Sequence, residues 1–334
     1  MAKNRLDYIS FIQFIGVISV IFGHSMNSMD VPVVFRDIKM WVYTYHMPLF
    51  FLVSAYLFSF TGGFAHREGY FGTFKNKFDR LLVPYIVWNV LFIAPKIFMQ
   101  DQLPNQDSEI NIEFFVNCLL SPRDNVLGHT WFLCALFEMF IIAIIFEKVR
   151  KKQVLWIPVT LILVVVNCFG VTDRVLAIGD LMKNGIFFWA GLLLGTMETE
   201  RIKQWAKDKT LQLVMLFIII AGSFIWAFDD MMLINTLVLG MAIILFLGII
   251  QIRWNISNNM IEFISHNSFT IYITHWPVLI VLRYIIYQNM HVNPTLSMAI
   301  MFVSAIVITM ILAWMLRRST SPIMKPIKKY IFGM

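Results

Sequence analysis

The stretch Tyr8–Met26, YISFIQFIGVISVIFGHSM, decides how this chain is read. No Lys, Arg, Asp or Glu lies between Asp7 and Asp30. A helix needs about 20 mostly apolar residues to cross a bilayer core, so the run is long enough to span one. His24 stands near its end. A titratable side chain on a membrane helix is costly unless a neighbouring helix or a protein-lined cavity satisfies it. His24 is therefore either a helix–helix contact or part of a site.

The rest of the chain has the same character. Of its 334 residues 59% are hydrophobic and 14% charged, with a mean hydropathy of +0.72. Soluble domains average about 45–50% apolar and about 25% charged residues. The composition reads as all-α: a polytopic bundle of about ten transmembrane helices. Their approximate limits are 8–26, 40–60, 79–99, 129–147, 154–170, 185–197, 211–228, 232–250, 266–287 and 296–316. The segment at 185–197 is short and carries Gly185, Gly191 and Gly195. Asp229 and Asp230 must form a tight hairpin between the seventh and eighth segments. The longest polar stretch, Gln100 to Glu113, reads as an external loop, too short for a soluble domain. The first segment lacks a small-residue cleavage site and reads as a retained span.

Charge placement tests this topology. Ten spans put both termini and the even-numbered loops on one side. All but seven of the 27 Lys and Arg then fall on that side; the exceptions are Arg36, Lys39, Lys96, Arg123, Arg174, Lys183 and Arg283. The positive-inside rule makes that side, and both termini, cytoplasmic. The net charge of +7 thus reads as topology signal and attraction to anionic membrane lipids, with no role for nucleic acid. Cys118, Cys134 and Cys168 are scattered, with neither metal-ligand spacing nor a disulfide framework.

Topology assigns depths. At 1.5 Å per residue, His24 lies about 24 Å along an outward-running first span. His46, Glu138, His275 and Arg283, from three other segments, fall in the same middle-to-outer half. A shared polar cavity would satisfy them together. Lys75, Lys77 and Arg80 gather at the cytoplasmic mouth of the third span, where closely spaced cations suit phosphate groups.

Five phrases resemble the acyltransferase-3 family of membrane O-acyltransferases. They are IGVISVIFGH (Ile15–His24), MPLFFLVSAYLF (Met47–Phe58), KFDRLLVPY (Lys77–Tyr85), HTWFLCALF (His129–Phe137) and NSFTIYITHWPVL (Asn267–Leu279). The resemblance makes 1–334 a single domain with a core at about 5–316 and a basic cytoplasmic tail at 317–334. It implies transfer of an acetyl group from acetyl-CoA, a donor substrate rather than a bound cofactor. The implied acceptor is a sugar hydroxyl of a surface glycan or its lipid-linked precursor, and the implied location is the bacterial cytoplasmic membrane. It casts His24 as the catalytic histidine. Many members carry Arg or Lys eleven positions earlier, where this chain has Gln13.

The chemistry fits those residue types. A sugar hydroxyl needs a base as it attacks the thioester, and histidine is suited to that near neutral pH. The tetrahedral oxyanion needs donors, for which Arg283, His275 and Trp131 offer themselves. Glu138 is placed to orient a histidine, bind sugar hydroxyls or pair with a cation such as Arg283 or Lys96. Donor phosphates would rest on Lys75, Lys77 and Arg80, with Gln13 near the pantetheine arm as it threads up to His24. The acceptor would enter past His46, His129, Trp131 and the 100–128 loop. The competing classes are a glycan transporter or flippase and an export subunit. The first is disfavoured because the His24 segment has no counterpart in the second half of the chain.

Overall fold

A computed structural model describes residues 3–65, 69–99, 120–169, 175–228 and 233–332. Most of the expected 100–128 loop, the Asp229–Asp230 hairpin, Arg67, Arg174 and Cys118 lie outside the described residues, as does the Lys96 side chain. The described residues are helical, with no strand among them. The helices are α1 (Lys3–Ser25), α2 (Val33–Tyr43), α3 (His46–Phe60), α4 (Gly69–Lys77), α5 (Val83–Met99), α6 (Trp131–Arg150), α7 (Trp156–Cys168), α8 (Ile178–Leu194), α9 (Thr199–Lys207), α10 (Lys209–Phe228), α11 (Leu233–Trp254), α12 (Asn259–His266), α13 (Ser268–Leu282), α14 (Pro294–Arg318) and α15 (Met324–Phe332). Among the described residues, six helical stretches are long and apolar enough to cross a membrane, and Ile9–Ser25 and Gln153–Cys168 are shorter apolar helices. The chain is a membrane-embedded, multi-span helical protein.

The apolar run at 40–60 is two helices, not one. Pro48 has no N–H to offer the Thr44 carbonyl four residues back, so the helical ladder cannot run through that point. Thr44 Oγ1 turns back to donate to the Trp41 carbonyl at 2.8 Å. The run at 79–99 begins with a π turn, Phe78–Leu82, in which the Val83 N–H reaches the Phe78 carbonyl five residues back. Pro84, lacking a donor, again interrupts the ordinary pattern. Helix α8 starts at Ile178, ahead of the apolar run at 185–197, because Arg123 pairs with Asp180 and makes that polar first turn tolerable.

The chain divides into two compact units. The first comprises Met1–Thr61 and Phe187–Trp314. Within it α1 packs against α3, α11, α12 and α13. Val17 and Ile21 of α1 meet Ile264, Ile271, Leu279, Met301 and Ala305 in its core. Helix α10 keeps Leu213, Phe217, Ile220, Phe224 and Phe228 exposed, the surface a helix shows to lipid tails. The second unit comprises Gly62–Ile186 and Met315–Met334. There α15 packs against α5 and the π turn, with Trp88 Nε1 donating to the Ile331 carbonyl at 2.8 Å and Lys329 3.1 Å from Asp79.

Candidate active site

His24 lies in the last turn of α1. The chain then turns back: the Asn27 N–H donates to the His24 carbonyl at 3.2 Å, and Ser28 takes a left-handed φ of 57°. The same turn aims the Asn27 side chain at the imidazole, with Nδ2 3.1 Å from His24 Nδ1. Lys39, on α2, donates to Asn27 Oδ1 at 2.6 Å. An ammonium can only donate, so the Asn27 carbonyl must face Lys39 and its amide must face the ring. His24 Nδ1 is therefore the acceptor, and the proton of the neutral imidazole is on Nε2.

Aromatic rings close the other sides. The His24 centroid is 4.8 Å from Trp276, edge-on, 5.3 Å from His275 and 6.5 Å from Tyr43. Gly23 makes the Tyr43 contact feasible, since a Cβ there would overlap the Tyr43 ring. Behind Tyr43, at 4.4 Å, lies His46. His24 thus stands among polar and aromatic groups rather than in hydrocarbon.

The expected residues of the first unit come together to different degrees. His275 is fully buried, and its Nδ1–H donates to the Tyr272 carbonyl. That leaves the lone pair on Nε2, so the neutral ring offers an acceptor there, not the donor expected for an oxyanion. His46 is buried, with its Nδ1 donating to the Val42 carbonyl at 3.2 Å. It supports Tyr43 rather than facing outward. Gln13 Oε1 accepts from Ser265 Oγ at 2.7 Å, which ties α1 to α12. Arg283 opens a π turn, Arg283–Asn289, that continues α13, and it is only 8% exposed. Burial, then the Arg283 charge, hold the Lys39 ammonium below the usual lysine range.

The second unit holds the remaining candidates. Lys75 and Arg80 are exposed at the end of α4 and in the π turn, whereas Lys77 lays its ammonium 3.6 Å over the Phe140 ring. Asn89 donates to Thr130 Oγ1 at 3.0 Å and accepts from the Leu127 N–H at 2.9 Å, which fixes the turn bearing His129. His129 is buried. Trp131 lies under the Arg123 guanidinium at 4.0 Å, and Arg123 Nε donates to Asp180 at 2.9 Å. Glu138 accepts from Cys134 Sγ at 3.3 Å.

Sequence reasoning missed Asn27, Lys39 and Tyr43. Asn27 follows His24 by three residues, one turn on, which is a readable signal. Lys39 stood out only as one of the few cations off the basic side. A cavity of about 480 Å³ in the first unit, lined by Ile9, Ile12, Leu52, Tyr56 and Trp205 among others, includes none of the candidate residues. Among the described residues no group of three His, Cys, Asp or Glu is placed to hold a metal ion.

A family model described as an acyltransferase domain matches residues 6–318. Neither a curated protein nor a solved structure matches the chain.

Proposed function

The chain belongs to the acyltransferase-3 family of membrane acyltransferases, and from that premise we propose that it is an O-acetyltransferase. It moves an acetyl group from acetyl-CoA to a sugar hydroxyl of a cell-surface glycan or its lipid-linked precursor. It works in the bacterial cytoplasmic membrane with both termini in the cytosol.

The observation that carries this reading is the setting of His24. The Lys39–Asn27 pair makes Nδ1 of the neutral ring the hydrogen-bond acceptor, so its lone pair is placed there. A neutral imidazole with a placed lone pair is what a general base requires. The acceptor hydroxyl takes the place of the Asn27 amide at Nδ1. Its proton passes to His24 as its oxygen bonds to the thioester carbon. The resulting oxyanion collapses, the carbon–sulfur bond breaks, and the proton leaves with the CoA thiol. Trp131 and Arg283 remain the donors offered to the oxyanion.

Donor phosphates are assigned to Lys75, Lys77 and Arg80, of which Lys75 and Arg80 are exposed. His129, Trp131 and Glu138 are assigned to the acceptor side.

The test uses membranes containing the full chain, incubated with radiolabelled acetyl-CoA and with glycan isolated from cells lacking the gene. Wild-type membranes should label the glycan. His24→Ala should lower labelling by about 100-fold or more with the protein still inserted, as expected on removing a general base. Retained labelling in that variant would defeat the base assignment. Glycan movement across the membrane without acetate incorporation would favour a transporter instead.

A further inference from the structure

Two tyrosines lie at the junction of α2 and α3, and their hydroxyls meet different fates. Tyr45 is buried, and its hydroxyl shares a 3.0 Å hydrogen bond with Ser19 Oγ. The Tyr43 hydroxyl makes no hydrogen bond among the described residues, and the residue is half-buried rather than sealed in.

The Tyr43 ring is nevertheless held in place. His46 packs against it at 4.4 Å between centroids, and the bond from His46 Nδ1 to the Val42 carbonyl fixes that support. On α1, Gly23 leaves room for it. A Cβ at Gly23 would overlap Tyr43 Cε1 and stand 3.0 Å from the hydroxyl oxygen. The hydroxyl is therefore set beside the turn of α1 that ends in His24, with 6.5 Å between the two ring centroids. The two groups are neighbours with no hydrogen bond between them. Lys39 connects them further: its Nζ stands 5.4 Å from the centre of the Tyr43 ring and donates to Asn27, whose amide faces His24 Nδ1.

The surroundings of His24 leave one chemical need open. A tetrahedral oxyanion is best stabilised by donors fixed in position before the charge forms. His275 presents an acceptor there, and the Asn27 amide has to give way to the acceptor hydroxyl. An uncommitted O–H on a ring supported from two elements meets the requirement.

We propose that Tyr43 is a catalytic residue whose hydroxyl donates to the oxyanion of the tetrahedral intermediate. The inference rests on the reading of His24 as the base, and it adds a donor from α2 to those offered by Arg283 and Trp131. The acceptor oxygen bonds to the thioester carbon and gives its proton to His24. The carbonyl π pair moves onto the carbonyl oxygen, which accepts a hydrogen bond from Tyr43 Oη; the phenol keeps its proton throughout. On collapse the pair returns, the carbon–sulfur bond breaks, and the proton held by His24 leaves with the CoA thiol. The nearby ammonium of Lys39 strengthens the phenol as a donor, because it favours negative charge shared with the phenol oxygen.

The experiment uses the full chain in nanodiscs, with acetyl-CoA as donor and glycan isolated from cells lacking the gene as acceptor. Initial rates give kcat and both KM values for wild type, Tyr43→Phe, Tyr45→Phe and His24→Ala, and each protein is also melted in detergent. Tyr43→Phe deletes the hydroxyl and keeps the ring. Its kcat should fall by about 100-fold, with both KM values within about twofold of wild type and an unchanged unfolding temperature. Tyr45→Phe, which loses the buried bond to Ser19, should unfold at a lower temperature with kcat near that of wild type.

Full kcat in Tyr43→Phe beside none in His24→Ala would overturn the proposal and leave the base in place. An unchanged kcat with a raised KM for the glycan alone would make the hydroxyl an acceptor contact, which is equally fatal to it. The same holds if Tyr45→Phe loses kcat as far as Tyr43→Phe does, since the loss would then come from loosening of the α2–α3 junction. Wild-type protein that incorporates no acetate would defeat the enzyme reading and the role of Tyr43 together.

Discussion

At the scale of single residues, one contact sets the hydrogen bonding of His24. The Asn27 amide donates to Nδ1, and the ammonium of Lys39 makes that orientation compulsory. Asn27→Asp replaces the amide with a carboxylate of the same shape. A carboxylate cannot donate to the ring, so the imidazole must donate from Nδ1 and its lone pair moves to Nε2. Acetyl transfer by Asn27→Asp should therefore fall by about tenfold or more with the protein still inserted. Undiminished transfer by an inserted Asn27→Asp protein would show that Asn27 does not set the acceptor atom of the ring. His24 stood out in the sequence by its position in an apolar run, and its expected catalytic role came from the family resemblance. The role of Asn27 needed the turn at Ser28, whose left-handed backbone brings the amide back onto the ring.

At the scale of helices, glycines set the spacing of the first unit. In a membrane, helices associate through close packing of small residues more than through expulsion of water. Gly191 and Gly195 lie four apart, against the backbone of Leu52 and Tyr56 respectively. A Cβ at Gly195 would meet the Tyr56 carbonyl oxygen at 2.6 Å, and one at Gly191 would overlap the Leu52 carbonyl. Backbone cannot step aside as a flexible side chain can. Gly191→Leu should therefore cost about 1–3 kcal/mol of packing. The expected readout is a lower unfolding temperature in detergent and reduced yield, with Gly185→Leu milder because its nearest neighbours are side-chain ends at 3.5 and 3.8 Å. Equal melting of both variants would contradict this account. The three glycines were visible in the sequence only as punctuation of a short apolar run. Their difference in consequence comes from what each one faces.

At the scale of the whole molecule, the charge asymmetry predicts an orientation in the membrane with both termini cytoplasmic. In a background lacking Cys118, Cys134 and Cys168, a cysteine at Lys325 should react with a thiol reagent supplied from the cytosol. A cysteine at Asp37 should react from outside. The reverse pattern would invert the topology. It would also place the Lys39–Asn27–His24 chain beside the cytosol and remove the need for the donor arm to thread inward.

What the sequence by itself determined is the class, a helical membrane protein of the acyltransferase-3 family, with His24 as the candidate its apolar setting singles out. Long apolar runs have one stable form in lipid, the helix, because every backbone group must be satisfied within the segment. A histidine placed in such a run is informative for the same reason. What the tertiary structure decided is which polar groups answer one another. The neighbours of His24 come from α2 and from α13, more than 200 residues further on, and no local pattern encodes their meeting. The tautomer of the ring, the acceptor character of His275 and the unmet Nε and Nη2 donors of Arg283 among the described residues are properties of that meeting. They depend on distance and burial, which arise only when the helices have packed.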